Sequence, residues 1–90
     1  MYTLVEYYRH KDVAVKYKFC DMVTGQEIIL DRDNAIKLVR NREVIRARIQ
    51  LRGNNVAIVP YSKLRTNGKT YIEGIEYTVI KVESNLHSKV

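Results

Sequence analysis

The residues with the most chemistry in this chain are arginines at alternating positions, Arg46, Arg48 and Arg52, with Gln50 in the remaining place. A planar guanidinium donates two parallel hydrogen bonds to one phosphate, so such a run suits a polyanionic partner. Lys37, Arg40 and Arg42 lie just upstream, and Tyr61, Lys63 and Arg65 follow at alternating positions downstream. Cations interleaved with an aromatic ring are what a single-stranded nucleic-acid groove uses, the ring stacking on a base while the cations track the backbone. The plainer reading of the same residues is that strand arginines keep a sheet soluble and blunt its edge, while cations at a helix end complement its dipole.

Charge favours the first reading. The formal net charge is +6; residues 1–45 carry eight Lys/Arg against seven Asp/Glu, and residues 46–90 carry eight against three. An excess concentrated in one half raises the local concentration of polyanions, of which nucleic acid is the commonest inside cells.

Other chemistries find little support. The single Cys20 excludes an internal disulfide framework and a cysteine-based zinc site. Cys20 with His10 and Asp12 is a conceivable nucleophilic grouping across a first hairpin, but a small residue at a strand end is the simpler account. Asp31 and Asp33 read as helix caps rather than metal ligands, and there is no phosphate-cradling glycine loop or paired Cys/His spacing. The expectation is a non-enzymatic protein with no cofactor and no metal.

The elements that must position the arginines follow from periodicity. Ile45, Ala47, Ile49 and Leu51 alternate with the arginines, which predicts one half-buried strand over residues 44–52. Before it, a helix capped by Asp31 or Asp33 turns Ala35, Ile36, Leu38 and Val39 inward. Upstream, residues 2–9 and 13–20 form a hairpin about His10-Lys11-Asp12, with Val13, Val15, Tyr17 and Phe19 on one inner face, and residues 27–30 return after a turn at Thr24-Gly25.

Downstream, Gly53-Asn54-Asn55 is a hairpin turn leading to residues 56–59, which read as buried on both faces, and Pro60 ends that strand. Asn67-Gly68 is the strongest short hairpin signal, predicting paired strands over 61–66 and 69–73. Gly74 then predicts a bulge or bend before a last strand over 75–83. The fold class is α+β, mostly antiparallel β, as a curled sheet or small partly open barrel with one helix covering one end; a flat sheet with the helix across one face is the alternative. Residues 1–83 form one small domain, and 84–90 a polar flexible tail.

Tyrosine occurs seven times, at Tyr2, Tyr7, Tyr8, Tyr17, Tyr61, Tyr71 and Tyr77. Tyr17, Tyr71 and Tyr77 read as core fillers in a chain with one Phe and no Trp; of the consecutive Tyr7 and Tyr8 one should face outward, and exposed tyrosines offer a surface for protein partners. A 90-residue chain buries only about 60 to 65 percent of its unfolded surface, so a homodimer would add stability. A lone cysteine, an early charge at Glu6 and no apolar run of about 20 residues point to the cytoplasm and away from a membrane.

Ile, Lys, Asn and Tyr are plentiful, Trp is absent and Pro occurs once. In size and style the chain resembles the short phage and prophage-type proteins of low-GC bacteria. That resemblance implies an alternative to nucleic acid: a host protein, on which the chain docks and which it inhibits.

Overall fold

The computed structural model describes residues 1–83. Its elements in chain order are β1 (Tyr2–His10), β2 (Val13–Asp21), β3 (Glu27–Asp31), α1 (Arg32–Arg40), β4 (Val44–Ile45), β5 (Ala47–Arg52), β6 (Asn55–Pro60), β7 (Leu64–Ile72) and β8 (Ile75–Val82). The expected tail, 84–90, lies outside the described residues.

Five antiparallel strands run in the order β3-β2-β1-β8-β7. The short β4 adds to this sheet by pairing parallel with Tyr2 and Thr3 of β1, whereas β8 takes the same edge of β1 further along, from Glu6 to Arg9. β5 and β6 form a separate two-stranded sheet. The protein is therefore mostly antiparallel β with one helix, and the six-stranded sheet is open rather than closed into a barrel.

Local chemistry explains most of these elements. Lys11 and Asp12 both take positive φ, 51° and 69°, as a two-residue type I′ turn requires, and they join β1 to β2. At the next turn Asp21 Oδ1 accepts from the Val23 and Thr24 N–H groups, and Gly25 supplies the positive φ that closes it. Asp31 caps α1 by accepting from the Asn34 N–H at 3.1 Å. At the other end the Glu43 N–H reaches Leu38 O and the Arg42 N–H reaches Val39 O, a Schellman arrangement with Arg42 in the left-handed C′ position.

The main core lies on one face of the large sheet. Leu4, Tyr17 and the fully buried Phe19 meet Ala35 of α1 and Ile58 of β6, with Ile36, Leu38 and Ile49 packed around them. The helix lies against β2, β3 and β5, across one face of the sheet rather than over its end. The opposite face carries a smaller cluster of Tyr8, Tyr77 and Val79, joined by Val15 and Ile72. Val15 thus parts from Tyr17 and Phe19, because a register shift beside it inserts an extra residue in β2 and reverses the alternation.

Three further expectations are corrected. The strand expected over 44–52 is broken at Arg46, whose φ of 64° ends pairing with β1 and sends the chain into the second sheet. The two glycine signals exchange roles: Asn67-Gly68 is a bulge inside the single long strand β7, and Glu73-Gly74, both with positive φ, forms the hairpin turn into β8. Both sites need left-handed backbone, and only the pairing of β8 with β1 decides which one reverses the chain. Finally, residues 56–59 are half-buried apart from buried Ile58, since the small β5-β6 sheet is covered on one side only.

Candidate functional site

The arginine run is positioned by the switch between sheets. Val44 and Ile45 are held in the large sheet, the left-handed Arg46 redirects the chain, and β5 then pairs with β6 from Ala47 opposite Pro60 to Arg52 opposite Asn55. Pro60 has no N–H, so the next donor is Tyr61, whose N–H reaches the Arg46 carbonyl at 3.0 Å. This bond seats Tyr61 beside β5. The Arg48 guanidinium lies 6.0 Å from the centre of the Tyr61 ring, and the ring is 66% exposed. A cation over an exposed tyrosine gains about 0.5–1 kcal/mol, enough to bias the orientation of both groups.

Arg46 itself lines a notch of about 110 Å³ between the ends of β4 and β8, together with Thr3, Val5, Ser62, Val82 and Glu83. Lys63 sits in the bend after Tyr61, its carbonyl accepting from the Glu83 N–H at 2.9 Å. Arg46, Arg48, Tyr61 and Lys63 are all exposed, and their backbones lie at the corner where the second sheet leaves the first, with Arg48 and Tyr61 the side chains in contact.

The remaining expected residues are dispersed. Arg52 shares the Arg48 face of β5 but stands at its far end, about 14 Å away at strand spacing, in a groove with Asp12, Tyr17 and Arg32. Lys37 and Arg40 border a shallow groove with Asp33, Ile36 and Val56. Arg42 is at the helix C′ position. Arg65 is on β7, directly opposite Lys81 of β8, and so belongs to the large sheet. The single face of three arginines and the alternating row of Tyr61, Lys63 and Arg65 do not form, because positive φ at Arg46 and a bend at 61–62 break both periodicities.

Comparison with family models, curated proteins and solved structures found no match to this chain.

Charge pairing sharpens the picture. The ion pairs among the described residues are Lys18 with Glu6 and with Glu27, and Lys69 with Glu76. None engages the corner cations, which leaves their donors open to a partner. Tyr71, expected in the core, is 68% exposed and donates to Glu76 at 3.1 Å, which holds its hydroxyl above the ordinary tyrosine pKa.

No set of three His, Cys, Asp or Glu residues with metal-binding geometry exists among the described residues. Cys20 and His10 stand at opposite ends of the first hairpin, Cys20 opposite Thr3 and His10 opposite Val13, so they and Asp12 form no common site. Among the described residues no helix is long and apolar enough to cross a membrane.

A second group of cations was not legible in the sequence as a cluster: Lys18, Lys81 and Arg65, on the face of the large sheet that is uncovered among the described residues. Alternation places each on that face, but only strand order places them in one row.

Proposed function

We propose that this chain is a non-enzymatic module that binds single-stranded nucleic acid at the Arg46, Arg48, Tyr61 and Lys63 corner. The observation that carries this reading is the exposed Tyr61 ring with the Arg48 guanidinium beside it at 6.0 Å. A base stacks on the ring, and the guanidinium meets the neighbouring phosphate with its planar fork. Arg46 and Lys63 extend the positive field, and the excess charge of the second half steers the polyanion towards it.

Fluorescence anisotropy with labelled single- and double-stranded oligonucleotides across a salt series tests this reading. Affinity should fall as salt rises, by about 0.7 in log–log slope for each phosphate contacted on a single strand. Tyr61→Ala should weaken binding by about 1–3 kcal/mol, the worth of one base stacked on an aromatic ring. Binding that ignores both salt and Tyr61 would sink the proposal.

A second reading, docking on a host protein, draws on exposed Tyr71 and Leu51, which present ring and apolar area outside the corner. It predicts capture of one protein partner by the immobilised chain, lost in Tyr71→Ala, with little affinity for oligonucleotides.

A further inference from the structure

One row of side chains crosses the face of the large sheet that is uncovered among the described residues. Ile29 of β3 is opposite Lys18 of β2, Lys18 opposite Glu6 of β1, Glu6 opposite Lys81 of β8, and Lys81 opposite Arg65 of β7. Neighbouring strands are about 4.8 Å apart, so the row spans roughly 19 Å. It borders an open groove of about 490 Å³, floored by Tyr8 and Val79 and reaching Asn67 and Thr70 on β7.

The charges along this row are unevenly satisfied. Glu6 accepts from the Tyr8 hydroxyl at 2.5 Å and lies 3.6 Å from the Lys18 ammonium, and Glu27 approaches the same ammonium at 3.6 Å. Both carboxylates thus serve Lys18. Lys81 and Arg65 are left directly opposite each other on adjacent strands, with no ion pair to either among the described residues. Like charges in this position oppose strand pairing, and Glu6, on the other side of Lys81, is shared with Lys18, so an anion between Lys81 and Arg65 would relieve the repulsion that remains.

We infer that Lys81 and Arg65 form a phosphate seat for the backbone of the same single-stranded nucleic acid, continuing the contact surface from the Tyr61 corner onto the open sheet face. Charge complementarity argues for this occupant: Lys81 and Arg65 stand opposite each other with no ion pair among the described residues, and Arg65 follows Lys63 of the corner by two residues. Tyr8 is buried in the floor and offers no stacking face there, so this part of the surface holds backbone rather than bases. The inference rests on the nucleic-acid reading above.

The test compares Lys81→Gln, Arg65→Gln and their double variant with Tyr61→Ala, using a labelled single-stranded oligonucleotide across a salt series, alongside thermal melting of each free protein. The double variant should bind with a slope shallower by about 0.7, the loss of one phosphate contact on a single strand. It should also melt no lower than wild type, because a repulsion has been taken away. Wild-type slope and affinity in the double variant would overturn the seat while leaving the corner standing. Weakened binding accompanied by a lower melting temperature would also overturn it, by assigning the pair a structural role. Weakened binding in the row variants with Tyr61→Ala unaffected would support the seat and overturn the corner. No oligonucleotide binding by wild type at low salt would overturn both.

Discussion

The Arg46 carbonyl accepts a hydrogen bond from the Tyr61 N–H at 3.0 Å, joining the residue at which the chain changes sheets to the residue that carries the exposed ring. Arg46 holds φ at 64°, a region that costs an L-residue roughly 1–2 kcal/mol and glycine almost nothing. Glycine also loses more freedom on folding, by roughly 0.5–1 kcal/mol. Arg46→Gly should therefore stabilise the fold by about 0.5–1 kcal/mol, whereas Arg46→Ala should leave stability near wild type. Urea unfolding of the two variants checks this, and equal midpoints would mean the conformation is not strained.

The same reasoning applies at Arg42, with a different expectation for binding. Its φ is 61° in the left-handed C′ position, which glycine usually fills where helices end this way, and its N–H already completes the Schellman arrangement through Val39 O. Arg42→Gly should raise the melting temperature by several degrees, given about 4–8 °C per kcal/mol for a domain of this size. Because Arg42 lies outside the corner, oligonucleotide affinity should change little.

Alkaline stability should depend on Tyr8. Burial is the largest cause raising its pKa far above the usual value near 10, followed by its hydrogen bond to Glu6 and the charges of Glu6 and Glu27. Burial also raises Tyr7 and Tyr17. A raised folded-state pKa means the unfolded chain gives up its proton first. The stability these groups confer is thus complete below about pH 10 and is lost as pH rises beyond it. Tyr8→Phe should lose about 1.5 kcal/mol at neutral pH, as a hydrogen bond to a charged group is removed, and should show a shallower alkaline decline. Chemical denaturation from pH 7 to pH 11 measures both.

Arg32 ties the helix to the second sheet. Its Nη2 donates to the Val56 carbonyl of β6, while its own backbone opens α1 beside the Asp31 cap. Arg32→Met keeps the aliphatic stem but removes the donor, which should cost about 1–2 kcal/mol. Hydrogen exchange should rise chiefly in β5 and β6. Uniform loss of protection would mean that the hairpin and the large sheet unfold as one unit.

Phe19 is fully buried between the sheet and α1, and replacing a core phenylalanine by alanine typically costs about 3–5 kcal/mol. Small domains hold only about 5–15 kcal/mol in all, so Phe19→Ala should unfold at a much lower denaturant concentration. Tyr61→Ala, at an exposed ring, should move the midpoint little, and that contrast separates a binding residue from a core residue.

The amino-acid sequence by itself determined what is local. The Asp31 cap, the inward stripe of α1 and the Lys11-Asp12 and Gly25 turns all depend on residues within a few positions of one another. The α+β, mostly antiparallel class followed from those elements. Tertiary structure decided what depends on pairing between distant strands. Arg46 could break its own strand because β1 has room beside Tyr2 and Thr3 for only two residues of β4 before β8 takes over its edge. Asn67-Gly68 and Glu73-Gly74 carry interchangeable turn chemistry, and the pairing of β8 with both β1 and β7 selected the second as the reversal. Lys18, Lys81 and Arg65 lie 63 and 16 residues apart in sequence and share a row only because strand order brings β2, β1, β8 and β7 side by side. A two-residue period assigns a side chain to a face, but no local rule states which strand will be its neighbour.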